Sequence, residues 1–338
     1  MGEPGTSRDE QAAYFSVTAA DEGMHDPGPE GQWNESAFVH VVEEDGRAGA
    51  LFRIGRRVNE GLAEVTALHL RDGRDAFVGF ERAPITGNGG WAAGSLDFRA
   101  AEGWSVRFDG TLSHLPDGEL FLDPGRAMRE CPRVPARFEL TAVDLVPPYR
   151  TTTDGTYHGG AAIAKDHYAG VARVSGSAVI DGRKREVRGF GFRDHSWGVR
   201  DWQAVDCWRW IYGQLDAENL FSVVVMYPSG GEPDVAGIAL RGGRPFIVTE
   251  ASVTCRYAGP PDHWVDAVEI VVPHPGGAIM ASFQPTCRLP LRHRKGGEVL
   301  RIVEHLARVT FDGRPGAGWF ETTDRMEAGR PFGLTRGI

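Results

Sequence analysis

The sequence predicts an all-β protein built as two antiparallel barrel or sandwich domains in tandem. Apolar–polar alternating segments recur at short intervals along its 338 residues, and turn dipeptides such as Asp109-Gly110, Asp117-Gly118 and Asp181-Gly182 punctuate them. The 45 glycines follow no G-X-Y period, and many short strands joined by tight turns account for them. No Gly-rich phosphate loop and no alternation of strands with helices is present, which argues against nucleotide-binding folds.

Taken in order, residues 1–30 are polar and broken by Asp26-Pro27-Gly28-Pro29, and read as a flexible N-terminal arm. Strands are expected at Phe38–Val42, Ala48–Ile54, Ala63–Leu70, Trp91–Phe98, Trp104–Leu112 and Arg137–Leu145. These would form a first domain over 31–150. Pro147-Pro148 and the polar run Thr151–Gly155 mark the boundary. The second domain, 151–338, opens with a hairpin of Tyr168–Ile180 and Arg185–Arg193 around Asp181-Gly182. Further strands are expected at Trp208–Leu215, Leu220–Tyr227, Val235–Leu240, Val265–Val272, Ala278–Phe283, Leu300–Phe311 and Gly318–Met326. Of these, Leu300–Val309 also fits a helix. Eight-stranded barrels enclose about one small ligand, so binding is the default expectation.

Composition narrows the partners. A formal charge of −9 argues against a nucleic-acid or anionic-membrane surface, and Arg292-His293-Arg294-Lys295 beside two glycines reads as a charged loop. The cysteines Cys131, Cys207, Cys255 and Cys287 form no metal or CxxC spacing, and the sequence offers neither a cofactor nor a metal motif. Without an apolar leader or a stretch of 18 apolar residues, a cytoplasmic protein with reduced thiols and no integral membrane segment is expected.

The segment Arg193-Asp194-His195-Ser196-Trp197-Gly198 carries the chemistry. Strand alternation puts Arg193, His195 and Trp197 on one face with Gly189 and Gly191, and Phe190, Phe192, Asp194 and Ser196 on the other. The glycines remove bulk on the first face, which is therefore expected to line a cavity into which something approaches the backbone closely. Asp194 should point away from His195 and pair with a neighbouring strand or with Arg200. Downstream, Trp208, Trp210 and Tyr212 share a face, with Trp202 just before them, and this aromatic wall suits a large apolar ligand. Alternating aromatics of this kind also occur as plain barrel core.

Gly189-Phe190-Gly191-Phe192-Arg193-Asp194-His195-Ser196-Trp197-Gly198, followed by Trp208-Arg209-Trp210, resembles the D-H-x-W-G signature of the carotenoid 1,2-hydratase (hydroxyneurosporene synthase) and AttH-like superfamily. That group has tandem lipocalin-like (calycin) domains and is similar to the lipocalin-type fungal Diels–Alderases. Arg57-Val58-Asn59-Glu60-Gly61 and Gly318-Trp319-Phe320-Glu321 resemble motifs of its actinobacterial branch, so the likeness runs from about residue 35 onward. The resemblance implies catalytic roles for His195 and Trp197 and, by rough spacing, for Tyr227. An acid is expected beside that tyrosine, but Pro228 stands there, so the proton donor of an alkene hydration is missing.

The expected function is transformation of a hydrophobic isoprenoid, polyketide or steroid-like molecule by hydration/dehydration or cyclisation, as in secondary metabolism. Arg193, Trp202, Trp208, Trp210 and Tyr212 would bind the ligand. The alternatives are a non-catalytic carrier of the same ligands, or a scaffold whose barrels are filled by side chains. Substrate and oligomeric state are not encoded in any motif.

Overall fold

The computed structural model describes residues 13–101, 103–153, 156–157 and 163–338. Residues 1–12 of the expected arm, and Asp154 and Gly155 of the expected boundary, lie outside them.

The described chain is almost entirely antiparallel strand. The first sheet contains β1 (Trp33–Glu43), β2 (Ala48–Arg57), β3 (Leu62–Arg71), β4 (Ala76–Pro84), β5 (Leu96–Ala101), β6 (Gly103–Leu115), β7 (Arg133–Asp144), β8 (Asp166–Ile180) and β9 (Arg183–Val199). Short two-residue pairings apart, its order is β4-β3-β2-β1-β9-β8-β7-β6-β5, and β4 also pairs with β6, closing the sheet into a barrel. The second sheet contains β10 (Val205–Asp216), β11 (Asn219–Pro228), β12 (Asp234–Arg241), β13 (Arg244–Val248), β14 (Ser252–Tyr257), β15 (Val265–His274), β16 (Gly277–Lys295), β17 (Glu298–Phe311) and β18 (Arg314–Glu327). Its order is β13-β12-β11-β10-β18-β17-β16-β15-β14, without a closing pair among the described residues.

Two expectations change. The hairpin β8–β9 inserts between β1 and β7, so the division between the sheets falls between Val199 and Val205 rather than at the expected boundary near 150. The Asp-His-Ser-Trp-Gly segment therefore belongs to the first sheet. The reason is register: β9 offers 11 consecutive partners to β1, from Trp33↔Val199 to Glu43↔Gly189, and no local boundary signal reports a pairing that distant. The stretch 300–309, which also fitted a helix, lies within strand β17.

The hairpin turn forms as read: Asp181 (φ 51°) and Gly182 (φ 73°) both sit in the left-handed region that a two-residue turn of this twist requires. Unanticipated elements include β4, β13, β14 and a helix, α1 (Pro124–Glu130), whose Asp123 side chain caps Arg126 N–H with Pro at the first turn.

Three cores follow from the two-residue alternation. The first barrel is filled by residues such as Val39, Phe52, Trp104 and Phe138. The second sheet encloses Phe221, Val225, Phe283 and Phe320. Between them the outer face of β1 and β9 meets β10 and β18, with Phe192, Tyr212 and Trp319 in contact. His40 lies between Tyr212 (ring centroids 4.7 Å) and Trp210 (5.0 Å).

Candidate functional site

Next to that contact the sheets part, leaving a cavity of about 770 Å³, within the range of small-molecule pockets. Its first-sheet wall is two rows of cross-strand neighbours. One row runs Thr66–Arg53–Phe38–Asp194, the next Glu64–Gly55–Ser36–Ser196–His167. Its second-sheet wall also has two rows, Glu304–Glu321–Trp210–Val224 and Ile302–Thr323–Trp208–Met226. Phe38 and Trp210 meet edge to face across the gap at 5.5 Å between centroids. Trp202, from the turn before β10, packs on Trp208 (5.5 Å) and His293 (5.6 Å). Aromatic and aliphatic residues make up a little over half of the lining, and polar and charged residues make up the rest.

The polar centre is a carboxyl pair. Glu304 and Glu321 are direct partners on β17 and β18, both on the cavity wall. Trp319 Nε1 donates to Glu304 Oε2 at 2.6 Å; Trp208 Nε1 and Thr323 Oγ1 donate to Glu321 Oε1, the latter at 3.0 Å. Burial, and then the neighbouring Glu321, hold the Glu304 carboxyl well above the usual carboxylate range. Burial also raises Glu321, although hydrogen bonds from Glu304, Thr323 and Trp208 work against it. Two ionised carboxylates cannot coexist there, so the pair retains a proton at pH values where an exposed carboxyl has lost it.

Around it, Asp194 approaches His167 Nε2 at 3.5 Å, so its partner is on neighbouring β8 rather than Arg200. Arg200 instead donates to Ser196 Oγ at 2.7 Å, and Ser196 Oγ lies 3.0 Å from Ser36 Oγ. Arg292 and His293, expected in a charged loop, end the long strand β16 and line the cavity. Leu291, in register with Ile302, lines the cavity beside them.

The other face of β9 is a different compartment. The alternation is as expected, but the cavity is on the side of Phe192, Asp194 and Ser196, not on that of Arg193, His195 and Trp197. Those three point into one end of the first barrel, which residues 18–35 seal. Arg193 forks onto Asp144 (2.8 and 2.6 Å) and reaches Glu22 (2.9 Å); Glu22 also accepts from Trp104 Nε1 (2.6 Å) and Tyr168 OH (2.7 Å). Fully buried His195 has Nε2 2.9 Å from Glu35 Oε1 and Nδ1 2.9 Å from the Asp21 carbonyl oxygen. Both nitrogens thus face oxygen atoms, one of a carboxylate and one of a backbone carbonyl. Burial alone would raise the Glu35 carboxyl, but hydrogen bonds from His195, His25 and Asn88 hold it below its ordinary value. Trp197 stacks on His25 at 3.7 Å. The described part of the arm is thus anchored by these bonds.

Gly189 and Gly191 do permit a close approach, but of β1: a Cβ would fall 2.0 Å from Val42 O and 1.9 Å from His40 O. His25, Glu35 and His195 are the one group of possible metal donors among the described residues, with ligand atoms within 4.8 Å. Glu35 already accepts from His25, His195 and Asn88, and a metal ion would have to displace those bonds.

Of the other expected residues, Trp202, Trp208 and Trp210 line the cavity. Tyr212 is on the same face but beyond the cavity, buried in the contact between the sheets with its hydroxyl 2.9 Å from Gln214 Oε1. Tyr227 faces the interior of the second sheet, so His195 and Tyr227 are not brought together. Cys207 is buried and its thiol is pushed up to about 12 by burial, which removes it as a nucleophile. Sequence reasoning missed Glu304, Arg53 and His167, and took Glu321 only as part of a closing motif. The available signal was two glutamates set in apolar strands, Val303-Glu304-His305-Leu306 and Trp319-Phe320-Glu321.

A family model described as "Domain of unknown function (DUF7064)" matches residues 18–326. No curated protein matches the sequence significantly. Among solved structures, a putative AttH from Nitrosomonas europaea is similar at TM-score 0.62 and 17% identity, over 90% of this chain and 95% of that one. CghA is similar at TM-score 0.56 and 12% identity (88% and 90% covered). Kievitone hydratase from Nectria haematococca is similar at TM-score 0.56 and 9% identity (95% and 95% covered). At these identities the likeness is one of fold.

Proposed function

The chain belongs to the DUF7064 family, and on that premise we propose that it binds a hydrophobic small molecule between its sheets and transforms it by acid–base chemistry. The substrate class is isoprenoid, polyketide or steroid-like, and the reaction is hydration/dehydration or cyclisation. The observation that carries this reading is the Glu304–Glu321 pair, a proton-retaining carboxyl dyad in an aromatic-lined cavity. It supplies the acid whose absence beside Tyr227 counted against alkene protonation.

In a hydration, the dyad gives its proton to one alkene carbon. The cation left on the other carbon is stabilised by the faces of Trp208 and Trp210. Water adds to that carbon, and its surplus proton returns to the dyad. Dehydration is the reverse, and in a cyclisation a second alkene takes the place of water, the dyad recovering the proton by elimination. One solved relative in fold is named a hydratase, which agrees with this chemistry. His195 and Trp197 act in this reading as supports that hold residues 18–35 in the first barrel.

The test is incubation of the protein with candidate polyenes, followed by mass spectrometry of the recovered ligand. Wild type should return a product altered by one water or isomerised. Glu304→Gln and Glu321→Gln should slow it by about 10²–10⁴-fold, the usual contribution of a general acid. Ligand bound tightly and recovered unchanged by wild type would leave the carrier reading standing instead.

A further inference from the structure

We propose that the ligand of the inter-sheet cavity carries a carboxylate, and that Arg53 is its seat. This rests on the cavity being the binding site. Arg53 projects from β2 into the cavity wall, between Phe38 and Thr66 in its row. It makes no hydrogen bond or ion pair with the described residues. Three acids and the like charge of Arg57 shape its electrostatic surroundings, and each acid is engaged elsewhere. Glu64 lies 3.3 Å from Arg82 and 3.6 Å from Arg57; Asp194 faces His167; Glu321 accepts from Trp208 and Thr323 and bonds to Glu304.

Arg53 is half-buried, and a guanidinium held against a largely apolar wall normally has a carboxylate or several acceptors on its five donors, since an unpaired charge drawn out of water is costly. Here burial outweighs the three acids and lowers the guanidinium's pKa, so the charge is under-compensated within the protein. Room for the head group is built into the strand. Gly55, two positions along β2 on the same face, has no side chain; a Cβ there would fall 2.7 Å from a guanidinium nitrogen. Ser36 and Ser196, whose hydroxyls meet at 3.0 Å, continue the Gly55 row as further donors. Leu51, Phe192 and Trp210 surround this polar corner. The arrangement fits an amphipathic monocarboxylate, anchored at Arg53 with its apolar body toward the tryptophans and the carboxyl dyad.

cis-Parinaric acid, a fluorescent polyene carboxylate, and its methyl ester test this by titration. Wild type should bind the acid about 10–100-fold more tightly than the ester, the scale of a charge-assisted pair. Arg53→Met should abolish that preference, weakening the acid far more than the ester. Arg53→Lys should keep part of it, and Gly55→Ala, which keeps the charge but crowds the guanidinium, should weaken the acid alone. Equal binding of acid and ester by wild type, or a preference that survives in Arg53→Met, would overturn the proposal while leaving the cavity as the binding site. Failure of wild type to bind either probe would overturn the binding reading and this proposal with it. Matching near-ultraviolet circular dichroism of the variants establishes that they are folded.

Discussion

Glu304 and Glu321 stand opposite each other on adjacent strands and share a hydrogen bond inside an aromatic cavity. Their raised titration couples the cavity to global stability. Unfolded, each carboxyl titrates near its ordinary value of about 4.3. The folded chain keeps protons that the unfolded chain releases above that pH, so this stabilisation is full below about pH 4 and declines as pH rises toward the raised folded values. Glu304→Gln is therefore expected to be more stable than wild type to urea at pH 8, by roughly 1–2 kcal/mol, and to lose that advantage near pH 4.

Three histidines act in the opposite direction. Burial lowers His40 and His69 to about 3 and His305 well below its ordinary value. The unfolded chain takes up protons at these sites below about pH 6.5, while the folded chain does not. Stability conferred by the neutral rings should fall with pH from about 6.5 toward 3, each contributing a slope of about 1.4 kcal/mol per pH unit. Urea denaturation between pH 7 and pH 5 reads this directly, and a His305→Asn variant should show a shallower dependence.

Arg193 is a structural ion. Its fork onto Asp144 and its bond to Glu22 satisfy a charge that is almost wholly enclosed. Arg193→Ala leaves two acids facing a cavity and should cost about 3–5 kcal/mol. Because Glu22 lies in the sealing segment, limited proteolysis should then cut near residues 18–30, a site protected in wild type.

Gly191→Ala should be among the most damaging substitutions in the chain. The added methyl meets the His40 carbonyl at 1.9 Å, and neither strand can move without breaking the β1–β9 register. A loss of about 3 kcal/mol or more in thermal or urea unfolding is expected. Gly31→Ala, with nothing within 4 Å of the new carbon, should be neutral to within about 0.5 kcal/mol.

Thiol labelling separates the cysteines. Cys207 and Cys287 are buried with thiols pushed up to about 12, whereas Cys131 is partly exposed. A disulfide reagent should modify Cys131 in the native protein, and Cys207 and Cys287 only after unfolding.

Much of this was legible in the sequence, because strand alternation is a local property. Splitting Arg193, His195 and Trp197 from Asp194 and Ser196 needed only the two-residue period, and so did the wall of Trp208 and Trp210. Which side of β9 faced a ligand was not legible. Both faces of that strand are enclosed, one by residues 18–35 and one by the second sheet, and no local pattern distinguishes two interiors. Arg53, Glu304 and Glu321 were hidden for a related reason. Each is one of several charged residues in its strand, and only the distant pairings β1–β9 and β10–β18 place them around one space.

Because β9 is a wall shared by two compartments, its successive residues are under separate constraints. Odd positions from Arg193 to Trp197 hold a plug, and even positions from Phe192 to Ser196 shape a pocket. Ligand preference can therefore diverge among relatives through every second residue of one strand while the alternate set, and the fold it secures, stays fixed. A library restricted to Phe192, Asp194 and Ser196 would explore specificity with little penalty in folding, and one at Arg193, His195 and Trp197 would chiefly sample unfolded chains.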